Sequence, residues 1–164
     1  MTERESKETN MYKDAPWPGN ILSNFAETPF VIDGISCRCS EGFIQSLKIE
    51  DPDKQKDLCS LSGQEAWEQG SNETEKVFSN KAVFWLGKEY LLHSSEHFAL
   101  VKRALSEKYS QSNIAKEALL ASAGTELIHE FGKPKGAKQS LPIEVFCRIV
   151  TEIRKELENA ESPS

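Results

Sequence analysis

The spacing of apolar residues changes several times along the chain, and each change marks a structural element. "PFVIDGISCRC", Pro29 to Cys39, is β-rich on both sides of Asp33-Gly34, the pattern of a hairpin whose type I′ turn takes positive φ at both central residues. The period then becomes helical: Ser40 can cap a helix opening at Glu41, with Phe43, Ile44 and Leu47 on its apolar side. "DPDKQKDL" predicts a second short helix, with Asp51 as cap and Pro52 in the first turn. "SGQEAWEQG" predicts a third, closed by Gly70, whereas "SNETEKVFSNK" is polar and reads as loop. "AVFWLGKEYLL" predicts a second hairpin turning at Gly87-Lys88. Ser94 or Ser95 caps the next helix, on which Phe98, Val101, Leu105 and Tyr109 recur at helical spacing. "NIAKEALLASAG" predicts another, capped by Asn113 and stopped by Gly124. The last, Pro142 to Glu158, carries a stripe of Ile143, Phe146, Ile149, Val150, Ile153 and Leu157.

These elements predict an α+β fold, mostly helical: one domain with a small β-hairpin sheet packed by several helices. Residues 1–15 are polar and predict a disordered or loosely docked tail, 16–158 the domain, and 159–164 a second polar tail. A chain of 164 residues can bury a core without metal or disulfide support.

Charge narrows the partners. A net charge of −6 argues against non-specific binding to nucleic-acid phosphates, and leaves room for a local basic pocket holding one nucleotide. Cys37, Cys39, Cys59 and Cys147 form no CxxC pair and no zinc-like spacing, so they read as small buried thiols rather than metal ligands. The N-terminus "MTERESKETN" has no apolar leader-like core, and no apolar run is long enough for a membrane span. The expectation is a cytoplasmic protein with reduced thiols and no membrane partner.

Two stretches carry candidate chemistry. On a helix, Glu41, Gln45 and Lys48 of "SEGFIQSLK" fall within about 60° of one another, away from Phe43, Ile44 and Leu47. That stripe is either a face turned to water or an acid–base and nucleophile pair. In "GKPKGAKQSLPIE", Lys133, Lys135 and Lys138 lead into the last helix, as a phosphate cradle or as a basic surface loop. Trp85 and Tyr90 can stack on a base or fill the core. His93, His97 and His129 show no metal-ligand spacing.

"ILSNFAETPFVIDGISCRCSEGFIQSLK" resembles the opening signature of the NADAR superfamily, the YbiA-like proteins: Ser-Asn-Phe, Pro-Phe, an Asp-Gly hairpin, then a helix opening on an acid and carrying Gln and Lys. "SSEHFALVKRALSEKYSQSNIAKEALLASAGTELIHE" looks like the second block of that family, and "LPIEVFCRIVTEIRKEL" is similar to its terminal helix. The resemblance runs from about residue 20 to residue 158, in ordered blocks. It implies a metal-independent N-glycosidase without a cofactor, cleaving the bond between ribose C1′ and an exocyclic amine. The implied substrates are phosphoribosylamino-pyrimidine intermediates of riboflavin synthesis or ADP-ribose on guanine, free or in ADP-ribosylated nucleic acid, met by a monomer or homodimer.

Carried over by position, the resemblance makes Glu41 the proton shuttle and Lys48 the Schiff-base amine or electrostatic stabiliser. Gln45 would orient the ribose hydroxyls, with Asn24 and Phe25 in the pocket wall. Trp85, Lys133 and Lys135 complete the expected substrate contacts. Two departures stand out. Gly42 follows the acid where relatives carry His or another polar residue, which predicts extra room for the base. The aromatic-Gly-Asp stretch before the last helix is replaced by "HEFGKPKG", where Glu130 or the lysines would have to substitute. These departures keep a second class open, a module that binds ADP-ribose or a related nucleotide without chemistry.

Overall fold

The structure, a computed structural model, describes residues 7–131 and 138–161. In chain order the elements are β1 (Glu8–Asn10), α1 (Gly19–Leu22), β2 (Phe30–Ile32), β3 (Ile35–Cys37), α2 (Ser40–Ser46), α3 (Pro52–Cys59) and α4 (Gly63–Ser71). There follow α5 (Thr74–Asn80), β4 (Ala82–Trp85), β5 (Lys88–Leu91), α6 (Ser95–Gln111), α7 (Asn113–Ala121), β6 (Glu126–Ile128) and α8 (Ile143–Glu161). The fold is α+β and mostly helical, with its strands in two-stranded ribbons.

Local chemistry sets most of these elements. Asp33 and Gly34 have φ of 51° and 79°, as a type I′ turn demands, and close β2 on β3 in antiparallel register. The Asp51 carboxylate caps α3, and Ser62 with Glu65 forms a capping box on α4. Ser94 caps α6, while Ser112 rather than Asn113 caps α7. The second hairpin turns one residue earlier than expected, at Leu86-Gly87, between β4 and β5.

Several segments differ from the sequence expectation; α8, for one, runs on to Glu161, into the stretch expected as a second polar tail. The stretch read as loop contains α5, because Val77 and Phe78 reach the core while its polar residues stay on the surface. Of residues 1–15, expected as a tail, those from Lys7 on belong to the fold: β1 pairs in parallel with β6, and Met11 is fully buried; residues 1–6 lie outside the described residues. A parallel partner so far along the chain leaves no local sequence signal.

At the centre runs α6, packed on β2, α2, α7 and α8. The α8 stripe buries Val145, Phe146, Ile149, Val150 and Ile153 against it. Trp85 belongs to this interior and not to a binding surface. It is 4% exposed, meets Phe43 edge-on at 4.9 Å, and donates its indole N–H to Asp33 at 2.8 Å. Arg103 grips the same carboxylate with two bonds of 2.8 Å, so the two hairpins are braced at one acid. All four cysteines are free, and Cys37, Cys39 and Cys59 are buried.

The helix that matters most is the short one. All seven residues of α2 are buried between α3, α4 and α6. Its C-terminal carbonyls find partners in the surrounding protein: Gln55 Nε2 donates to Ser46 at 3.1 Å, and the Phe84 N–H donates to Leu47 at 2.8 Å. A helix enclosed in this way has no face in bulk water, so its polar stripe is not a wetted surface.

Candidate active site

The polar stripe of α2 opens on a cleft of about 400 Å³. Asn24, Phe25, Glu41, Gln45 and Lys48 all line it. Trp85 and Gly42 do not, and Lys133 and Lys135 lie outside the described residues.

Each of these side chains is placed by a backbone constraint. The Glu41 N–H donates to the Asn24 carbonyl at 2.9 Å, which ties the turn after α1 to the first turn of α2. Ser40, expected as the cap, is the first helical residue; its hydroxyl donates to Asn24 Oδ1 at 2.8 Å instead. Lys48 lies just past the helix end, in a turn where its N–H donates to the Gln45 carbonyl at 3.1 Å. Its side chain therefore still leaves on the side of Glu41 and Gln45. Its ammonium donates to Thr74 Oγ1 at 2.9 Å, so the unexpected helix α5 supplies a wall of the site.

Burial sets the electrostatics. Glu41 is 7% exposed and Lys48 8%. Burial raises the Glu41 carboxyl above the ordinary range, opposed by the Gln45 hydrogen bond and by Lys48. Burial lowers the Lys48 amine, opposed by Glu41. The proton affinities of acid and amine are thereby drawn together, as an acid–base pair acting near neutrality requires.

Gln45 Nε2 donates to Glu41 Oε2 at 2.6 Å, and Gln45 Oε1 is a buried acceptor with no partner among the described residues. Gly70, expected to end α4, lies inside it and lets the side chain of Gln45 fit: a Cβ there would stand 1.9 Å from Oε1. Gly63 does the same for Phe25. Gly42 has another task than making room for a base. A Cβ there would lie 3.0 Å from the Leu58 carbonyl, so the missing side chain permits the close approach of α3.

The opposite wall comes from the N-terminal segment, the residues after β6 and the start of α8, and sequence reasoning did not find it. Tyr12, His129, Phe131 and Phe146 line it. His129 Nδ1 is 2.7 Å from the Met11 carbonyl. A carbonyl only accepts, so Nδ1 carries the proton and Nε2 keeps its lone pair on the neutral ring. Burial lowers the pKa of this histidine, against the Met11 bond, which favours that neutral form. The ring packs on Phe131 at 4.7 Å and edge-on to Phe146 at 5.4 Å. Lys138 also lines the cleft, paired with Glu75 at 3.2 Å. Glu130 does not substitute for the missing acidic stretch: it is exposed, and its backbone is clamped by Asn10 through bonds of 2.9 and 3.0 Å.

The chain matches known proteins in family and in fold. The family described as bacteriophage protein GP30.3 matches residues 16–155. The chain belongs to that family. An uncharacterized 17.1 kDa protein from the Gp30-rIII intergenic region of Enterobacteria phage T4 is 35% identical over 113 residues, which are 69% of this chain and 74% of the relative. The NMR structure of the E. coli protein YbiA superposes with a TM-score of 0.65 at 20% identity, covering 97% of this chain and 90% of YbiA. The chain thus has the YbiA fold, and family and fold together support a YbiA-like NADAR superfamily protein. The residues carried over from the opening signature, Asn24, Phe25, Glu41, Gln45 and Lys48, converge on one cleft. The block before the last helix contributes His129 and Phe131 in its own way.

Proposed function

We propose that this protein is an N-glycosidase that hydrolyses the bond between ribose C1′ and an exocyclic amine of a nucleobase. The observation that carries the proposal is the buried Glu41–Lys48 pair in the wall of one cleft, each group shifted by burial towards the other. Such substrates are glycosylamines, whose sugar ring can open. Glu41 gives its proton to the ring oxygen as the C1′–O bond breaks, and the exocyclic nitrogen forms an iminium at C1′. The neutral Lys48 amine adds to C1′; the exocyclic amine then leaves with a proton transferred from Lys48, and a lysine Schiff base remains. Water adds to C1′ as Glu41 accepts its proton, and collapse releases Lys48 and the sugar aldehyde, which recloses. Gln45 holds the Glu41 carboxyl through its Nε2 donor, and the aromatic wall suits a flat base.

The test is to incubate the protein separately with a phosphoribosylamino-pyrimidine and with ADP-ribosylated guanosine, and to follow free base by chromatography. Release from either supports the reading. Release from neither, with ADP-ribose still bound, would mark a binding module and overturn it.

The coupled pair sets a pH profile. With both groups protonated the amine cannot add, and with both deprotonated no proton reaches the ring oxygen, so the state holding one proton is active. The kcat/KM profile is expected to be a bell whose acid limb lies above the ordinary Glu range and whose alkaline limb lies below the ordinary Lys range. Limbs at the ordinary values would contradict the burial argument.

His129 offers its Nε2 lone pair to a base N–H. His129→Asn keeps a donor for the Met11 carbonyl and removes that acceptor. It is expected to raise KM roughly tenfold, one hydrogen bond's worth, with a smaller effect on kcat. An unchanged KM would remove His129 from substrate recognition.

A further inference from the structure

Behind the cleft, Lys108 on α6 is completely buried. Among the described residues no carboxylate is paired with it. Its ammonium donates to Ser40 Oγ at 3.2 Å and lies 5.1 Å from the centroid of the Tyr109 ring. A buried cation held by one hydroxyl is costly, and an apolar side chain of similar length would pack in its place without that penalty. Packing therefore does not account for a lysine here.

Its effect follows from the donors. An ammonium only donates, so Ser40 Oγ accepts from Lys108 and has its single proton left to give. That proton goes to Asn24 Oδ1 at 2.8 Å, the Asn24 carbonyl being further away at 3.5 Å. The Asn24 amide is thereby fixed with its oxygen inward. Nδ2, which has no partner among the described residues, is the end left to the cleft that Asn24 lines.

We propose that Lys108 is a positioning residue that, through Ser40, holds the Asn24 amide as an N–H donor towards an acceptor oxygen on the ribose of the bound nucleotide. The ribose assignment rests on the reading of the cleft given above. The Lys108–Ser40–Asn24 chain itself stands on the hydrogen bonds.

The experiment measures ADP-ribose binding by calorimetry, alongside thermal midpoints, for the full chain and its variants. Lys108→Met is expected to keep or raise the thermal midpoint while weakening ADP-ribose about tenfold, because the freed amide can present its oxygen. A purely structural lysine would not give opposite signs in the two readouts. Asn24→Asp, which replaces the donor with an acceptor, is expected to lose at least as much. The double variant should then lose no more than Asn24→Asp alone. Ser40→Ala breaks the same chain in the middle and carries the test if Lys108→Met does not fold. Wild-type affinity in Lys108→Met or Ser40→Ala, or losses that multiply in the double variant, would overturn the proposal. So would a wild-type chain that fails to bind ADP-ribose. Binding without turnover would sink the glycosidase reading and leave this one standing.

Discussion

Replacing Lys48 by methionine is expected to lower base release by about a thousandfold or more with little loss of stability. The side chain is 8% exposed, and its ammonium donates to Thr74 Oγ1 at 2.9 Å. Methionine fills the same volume, and Glu41, whose carboxyl burial already raises, takes up a proton once the cation is gone. No uncompensated charge remains, so the fold has little to lose. The chemistry loses its nucleophile. Borohydride reduction of the wild-type protein during turnover should trap a sugar on Lys48, seen as a mass increase on one peptide and missing in Lys48→Met. Glu41→Gln is the companion variant. Its amide keeps the shape and can still accept from Gln45, now 2.6 Å from the carboxylate, but it has no proton to move. A chain that releases base normally in either variant would place the chemistry elsewhere.

The parts of this fold that were legible in the sequence are those set by neighbours along the chain. Asp33-Gly34 specifies its turn without help, Asp51 and Ser62 specify helix starts, and the α8 stripe specifies a buried face. What the sequence hid depends on distant partners. Trp85 is fixed by an acid 52 residues earlier, and β1 by a strand at the far end of the domain. His129 shows its purpose only beside the Met11 carbonyl. The stripe on α2 is the instructive case. Periodicity separates polar from apolar positions, but it does not distinguish bulk water from a cleft. The resemblance to the YbiA-like proteins selected the cleft, and the burial of Glu41, Gln45 and Lys48 agrees with it. Lys108 had no such pointer, since a lysine beside an apolar stripe reads as a surface residue until α2 is seen packed over it.

The packing of α4 on α2 leads to the second large effect. Gly70→Ala would place a methyl group 1.9 Å from Gln45 Oε1, 2.7 Å from its Cδ and 2.8 Å from its Cβ. The last of these atoms is rooted in the helix backbone, so rotating the end of the side chain does not relieve the clash. Either α4 backs away or Gln45 leaves its place. Overpacking of this kind costs about 1–3 kcal/mol, offset by up to ~1 kcal/mol from the better helix propensity of alanine. A net loss of about 1–2 kcal/mol is expected, visible as a lower thermal midpoint. Activity should suffer more than stability. A displaced Gln45 no longer donates to Glu41, and that bond does more than Lys48 to hold the carboxyl down against burial. The acid limb of the pH profile should therefore move to higher pH in Gly70→Ala. Adding Gln45→Gly to Gly70→Ala removes that Cβ as well and restores the space, so the thermal midpoint should recover, short of the cost of a helical glycine, while the activity does not. Recovery of both would reduce Gln45 to a spacer between two helices, and recovery of neither would mean that α4 had shifted as a whole.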